Sequence, residues 1–194
     1  MIVTISARVI FPTILFLALG IQESWAQSPS PKSTQQITTI DMEAGHSYRA
    51  GTRVRVPNGA ASFLIPAGWR GEQLDNLAAV LLVSEKEAGF VLAFAILNQT
   101  EEEVATLLGE PQPITDTLVF KPTETVMRKG NTLTASYVAG TLIGRGLAIV
   151  GPDLQGILFL HGRPKNEPRA SLSPLDELTD HVFFTSTNNG GVQP

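Results

Sequence analysis

The order of apolar and polar positions along the chain predicts a fold made mostly of strands. Stretches 78–83 and 90–97 are almost continuously apolar, which is typical of strands covered on both faces. The polar segment 85–89 between them ends in glycine and predicts a hairpin. Shorter apolar or alternating runs predict further strands at 52–56, 61–65, 125–128, 132–139, 142–150 and 156–160.

The tripeptide Gly144-Arg145-Gly146 interrupts the apolar pattern of the run 142–150. Glycine inside a strand pattern marks a tight turn or an irregularity in the pairing. We therefore expect either a hairpin tip or a β-bulge here, and the pattern alone does not distinguish the two.

A helix is predicted to follow Thr100. The Thr100 hydroxyl and the Glu103 carboxylate have the spacing of a capping box, in which each side chain bonds the other residue's backbone amide. Gly109 and the prolines after it indicate where the helix ends. The apolar stripe of this helix consists of Val104, Leu107 and Leu108.

A second helix is predicted to begin at Pro174, with Ser173 as its N-cap. Its apolar positions are Leu175, Leu178, Val182 and Phe183. The order of elements contains no repeated strand–helix–strand units, so we expect an α+β class with a mainly antiparallel sheet. The prediction is one domain, 48–186, with a sheet of about seven strands and a helix covering each face.

The chain begins with a pattern typical of a secretory signal peptide, residues 1–26. Arg8 precedes an apolar run at 9–21, and Ser24-Trp25-Ala26 offers small residues to a signal peptidase, so we expect cleavage after Ala26. A membrane anchor is the alternative, but the run is shorter than the roughly 20 residues that a spanning helix needs. We therefore expect an exported protein, periplasmic or secreted, with a flexible leader at 27–47 and a disordered tail at 187–194.

Composition narrows the range of partners. The net charge is −4 and the chain has no basic run, which disfavours nucleic acid, because its phosphates are bound by clustered cations. The chain contains no cysteine, so neither disulfides nor a lipid-modified thiol can form. After signal cleavage we expect no stable membrane anchor, and no cofactor is predicted.

Candidate catalytic residues are few. His161 and Arg163 share a face if the strand at 156–160 continues, and we expect Asp153 to lie nearby across the preceding turn region. An imidazole beside a carboxylate and a guanidinium could move a proton or bind an anion. A solvated strand end explains the same residues without any function.

One pair of residues has the spacing of metal ligands. Glu177 and His181 are four positions apart on the second predicted helix and therefore face the same way. Such a pair could contribute to a divalent-ion site. A surface pair on a solvated helix explains it equally well, and no metal is predicted.

The segment Phe63-Leu64-Ile65-Pro66-Ala67-Gly68-Trp69 is the most distinctive of the chain. We expect a strand that ends at Pro66, a turn at Gly68, and Trp69 as a large apolar anchor in the core. A strand followed by Pro-x-Gly-Trp resembles the opening of domains in the PsbP-like superfamily. That resemblance implies an antiparallel sheet flanked by helices and a non-enzymatic accessory or partner-binding role.

Three functions follow as hypotheses. The first is an exported, non-catalytic binding or assembly-accessory domain with a protein partner, which would contact Trp69, Arg70 and Arg145. The second is a small periplasmic hydrolase or isomerase that uses His161 and Arg163. The third is a carrier of an apolar ligand, which the low charge and the aliphatic strands allow.

Overall fold

The fold is known from a computed structural model that describes residues 38–74, 77–166 and 174–185. The predicted signal peptide and the predicted tail lie outside these residues, as does the proposed cap Ser173. The two helices of the described residues are α1 (Glu101–Leu108) and α2 (Pro174–Thr179). The strands are β1 (Thr39–Asp41), β2 (Ser47–Arg49), β3 (Arg53–Arg55), β4 (Ala61–Leu64), β5 (Trp69–Gln73), β6 (Ala79–Ser84), β7 (Phe90–Leu97), β8 (Gln112–Pro113), β9 (Val119–Pro122), β10 (Met127–Lys129), β11 (Thr132–Ala139), β12 (Leu142–Val150), β13 (Gln155–Pro164) and β14 (Val182–Phe184).

One large, curled antiparallel sheet forms the body of the fold. Its strands follow the order β2-β5-β6-β7-β13-β12-β11-β9-β8, and β10 pairs with β11 beside β9. The centre of the sheet consists of the long strands β7, β13, β12 and β11, which pair without interruption along their lengths. Apolar residues fill β7 and much of β12 and β13 and alternate with less buried ones along β11, so the middle of the sheet is deeply buried.

A small second sheet and α2 cover one face of the large sheet. Strand β1 runs parallel to β3, whereas β3–β4 and β4–β14 are antiparallel. The rings of Phe63 in the small sheet and Phe159 in the large sheet meet edge to face, with centroids 5.3 Å apart. Leu175 and Leu178 of α2 are fully buried in the same core. This core therefore holds the two sheets and α2 together.

The opposite face is covered by α1 and the segment with β8 and β9. Aromatic rings from Phe90, Phe120 and Tyr137 pack edge to face in a row along this face. The rings lie over glycines: a Cβ atom on Gly144 would be 2.5 Å from the Phe120 ring, and one on Gly162 would be 2.6 Å from the Phe90 ring. Gly144, Gly146 and Gly162 thus make room for aromatic side chains above the sheet.

Helix α1 begins and ends as the sequence predicts. Thr100 and Glu103 form the reciprocal capping box, and hydrogen bonding to the Thr100 backbone amide and hydroxyl lowers the pKa of Glu103. At the other end, the Tyr137 hydroxyl donates a hydrogen bond of 2.6 Å to the Leu108 carbonyl. This bond ties the last turn of the helix to the sheet, and burial raises the pKa of Tyr137 to about 12.

Replacing Tyr137 with phenylalanine tests this tie through its pH dependence. Near neutral pH, Tyr137→Phe should lower the free energy of unfolding by about 1–3 kcal/mol, because the Leu108 carbonyl loses its donor. The native state keeps the tyrosine proton up to about pH 12, whereas the unfolded chain loses it near pH 10. Stability from Tyr137 is therefore complete below pH 10 and is lost as the pH rises towards 12.

The measurement is urea unfolding of both proteins at several pH values between 8 and about 11.5. The stability gap between wild type and Tyr137→Phe should narrow above pH 10. A gap that stays constant across this window would show that Tyr137 ionises equally easily in the folded and the unfolded chain.

The predicted α+β class with a helix covering each face is wrong. Strands make up 52% and helices 10% of the structure, so the fold is mostly β. The eight residues of α1 and the six of α2 span only about 12 and 9 Å, at ~1.5 Å per residue. Helices this short leave most of a large sheet uncovered. On the face with α2, the small sheet provides the remaining cover.

Three local predictions also differ from the structure. Strand β1 lies inside the predicted leader and pairs with β3, so the ordered fold begins before residue 48. The predicted second helix ends at Thr179, and Val182 and Phe183 belong to β14 instead. Gly144-Arg145-Gly146 is neither a hairpin tip nor a bulge, because β12 pairs continuously with both neighbours through these residues.

Candidate functional site

A groove of about 670 Å³ lies where the cover of the large sheet ends, beside α2. The core under the small sheet and α2 includes Leu147 and Ile149 of β12, but no described residue of β10 or β11. The face of those two strands therefore continues beyond the covering layer and forms the floor of the groove. The lining residues are Met127, Arg128, Lys129, Thr132, Thr134, Arg145, Leu147, Asp176 and Thr179.

The pairing register arranges the floor in rows. Met127, Thr134 and Leu147 lie side by side across three strands, and Lys129 and Thr132 belong to the next row. Along β11, the threonines alternate with buried Leu133 and Ala135, so hydroxyl groups face the groove and apolar side chains face the opposite core. The floor is thus a rigid surface with apolar and hydroxyl-bearing positions.

Lys129 and Arg145 give the groove its positive charge, against a single carboxylate on Asp176. Arg128 also borders the groove, but its guanidinium forms ion pairs with Glu101 and Glu102 of α1. The Arg145 guanidinium is 3.9 Å from the Asp176 carboxylate. Both side chains of this last pair are about half exposed, so the pair is weak and a ligand carboxylate can compete for Arg145.

Cations mark two ends of the groove. Lys129 and Arg145 are two strands apart across the sheet and four residues apart along the strands. Their Cα positions are therefore about 16 Å apart, at ~4.8 Å between strands and ~3.3 Å per residue. Within the described part of the chain, Lys129 forms no ion pair, so its charge is available to a ligand.

The predicted binding residues do not form one surface. Arg145 lines the groove, but Trp69 is 8% exposed and belongs to the core, which confirms its role as an apolar anchor. Arg70 follows Trp69 in β5 and therefore points to the other face of the sheet. Its guanidinium is 3.9 Å from the Glu72 carboxylate, far from the groove in strand order.

The structure separates Asp153 from the other two candidate catalytic residues. His161 lies directly opposite Arg145 in the neighbouring strand, and its ring meets Trp69 edge to face at 6.3 Å. Arg163 is on the same face of β13, as predicted. Asp153 lies in the turn before β13 with a φ of 56°, about 20 Å or more from His161 along the strand. No described geometry joins the Asp153 carboxylate to the imidazole.

The side chains of Glu177 and His181 form contacts that hold α2 in place. The Glu177 carboxylate accepts a hydrogen bond from the Ala67 backbone amide at 3.3 Å, which joins α2 to the turn before Trp69. The Nδ1 atom of His181 lies 2.9 Å from the Glu177 carbonyl, at the end of the same helix. Among the described residues, no three ligand-type side chains come together as a metal site would require.

Sequence reasoning missed most of the groove. Lys129 and Met127 belong to a three-residue strand whose pattern is too short to assign to a face. The available signal was the alternation of threonine with buried residues in β11, which indicates one open face. Arg145 was proposed as a binding residue because a turn or bulge was expected there. It lines the groove instead as part of β12, which continues through this position.

No protein-family model matches the chain, and no curated protein matches it significantly. Across residues 38–74, 77–166 and 174–185, no helix is long and apolar enough to cross a membrane.

Proposed function

We propose that the chain is an exported, non-catalytic binding domain and that its groove holds an extended, acidic segment of a partner protein. The observation that supports this most is the placement of Lys129 and Arg145 at two ends of a rigid, partly apolar strand surface. Export rests on the signal-like pattern of residues 1–26. The PsbP-like resemblance of Phe63–Trp69 implies the same class of role.

An extended segment fits the geometry because the two cations lie at opposite ends of the groove floor. Lys129 is on β10 and Arg145 is on β12, so a segment that reaches both must cross the side chains of three strands. Apolar side chains of such a segment would contact Leu147, and its polar groups would bond the hydroxyls of Thr132 and Thr134.

The charges specify the sequence of the partner segment. A segment in strand conformation advances ~3.3 Å per residue, so carboxylates about four or five positions apart would reach Lys129 and Arg145 together. Arg145 suits a carboxylate well because its planar guanidinium donates two parallel hydrogen bonds. We therefore expect an acidic–apolar–acidic pattern in the partner.

Selecting displayed random peptides for binding to the purified chain tests the proposal. Enriched peptides should carry two acidic residues about four or five apart around an apolar centre, and their binding should weaken with added salt. Arg145→Glu should weaken binding of an enriched peptide by about tenfold or more, a loss of ~1.4 kcal/mol or more. Fluorescence anisotropy of the labelled peptide gives the dissociation constants.

Arg70→Glu is the matched control. Arg70, like Arg145, is about half exposed and lies 3.9 Å from one carboxylate, so both variants remove a similar ion pair and change the net charge equally. Only Arg145→Glu should affect the peptide. Equal weakening by both variants would mean that overall charge, rather than the groove, governs binding, and the proposal would fail.

A further inference from the structure

A second cavity lies on the opposite face of the large sheet, under α1. It has a volume of about 260 Å³ and is bounded by β7 and β13 on one side and by α1 and the β8 segment on the other. Apolar side chains dominate its walls: Phe94, Ile96, Leu97, Leu107, Pro113, Ile114, Leu158 and Leu160. This cleft shares no residue with the groove of the proposed function.

The polar groups of the cleft are two glutamine amides. Gln112 already acts locally, because its Nε2 donates to the carbonyls of Leu107 and Glu110 at the end of α1. Gln99 differs: its Oε1 is buried and has no hydrogen-bond partner among the described residues. A buried acceptor without a donor is destabilising, so this atom points to a missing donor.

Charge is excluded from the same walls. No Asp, Glu, Lys, Arg or His is among the residues that line the cleft in the described chain. An ionised ligand head group would therefore lose its hydration without gaining a partner of opposite charge. A neutral head group with an O–H or N–H donor would instead satisfy the Gln99 oxygen, which the soft terminal torsion of glutamine allows to turn towards the cleft.

We infer that this cleft binds a neutral amphiphile, an aliphatic chain that carries one hydroxyl or amide donor for the Gln99 Oε1 atom. Its size follows from the volume: at ~30 Å³ for each water-sized atom, the cleft holds about nine non-hydrogen atoms. A chain of eight carbons with a hydroxyl has that size. The apolar walls bind the chain, and Gln99 selects the head group.

The test is a titration of the full chain, labelled with ¹⁵N, with 1-octanol, octanoate and octylammonium. Octanol should bind saturably, shift the side-chain amide resonances of Gln99 and have a dissociation constant at least tenfold lower than either ion. Gln99→Leu keeps the size of the side chain and removes the acceptor, so it should weaken octanol binding at least fivefold. Leu107→Trp fills the cleft and should abolish saturation.

Gln99→Glu provides a control with the same shape. The new carboxylate should bring octylammonium to at least tenfold tighter binding and leave octanoate weak. The inference is overturned if wild type binds octanol without saturation, if octanoate binds as tightly as octanol, or if Gln99→Glu leaves the preference unchanged. These outcomes are independent of the peptide groove, because none of the variants alters a residue that lines it.

Discussion

Phe159→Ala is expected to lower the free energy of unfolding by about 3–5 kcal/mol, the range for removing a large buried aromatic side chain. Phe159 is fully buried at the centre of the large sheet, and its ring packs against Phe63 of the small sheet. Removing the ring opens a cavity between the two sheets that the rigid strands cannot close. Urea unfolding followed by circular dichroism gives the difference.

Phe183→Ala is the matched control for that experiment. Phe183 belongs to the small sheet but is 40% exposed, and its ring lies 3.8 Å from the Arg53 guanidinium carbon. Losing this cation–π contact should cost about 0.5–1 kcal/mol. If both alanine variants lost equal stability, the small sheet would not be docked through Phe159 as described.

Phe120→Ala is the second substitution with a large expected effect, again about 3–5 kcal/mol. Phe120 is fully buried, and its ring occupies the space directly above Gly144 and beside Gly162. Gly144→Ala should by itself cost about 1–3 kcal/mol, because the new methyl group overlaps the ring and forces it to move. Both changes are read out by the same urea titration.

The combined variant tests whether the two residues act together. With the Phe120 ring removed, the methyl group of Gly144→Ala enters free space, so the double variant should lose at least 0.5 kcal/mol less than the sum of the single losses. Simple additivity would contradict the packing of the ring over the glycine. It would also remove the explanation for glycine at positions 144 and 162.

The strands with long apolar or alternating runs could be predicted from the sequence, because every residue of such a run indicates whether its side of the strand is buried. The predicted bounds of β7, β11 and β12 equal the observed ones, and the capping box placed α1 correctly. Of the small sheet, only β3 and β4 were predicted, at 52–56 and 61–65. Strands β1 and β14 have three residues each and were missed, and the pairing of the four strands joins distant parts of the chain.

Which candidate site residues lie together could not be predicted from the sequence either. Neighbours across strands depend on register, so the pairing of His161 opposite Arg145 and the distance from His161 to Asp153 are invisible in sequence order. The burial of Trp69 was predicted correctly because a large aromatic after a turn favours burial on its own, whereas its second proposed role, on a contact surface, does not fit that burial. The glycines at 144 and 146 suggested an irregular strand because the pattern does not reveal the rings that lie above them.

Hydrogen exchange of the full chain with and without an enriched acidic peptide tests the central claim most directly. The claim is that the groove beside α2 binds an extended segment across the side chains of β10, β11 and β12. We expect new protection of amides in Met127–Lys129, which the segment would cover, and no change at β2, the strand at the other end of the large sheet. Protection at β2 or β1, with β10 unchanged, would contradict it.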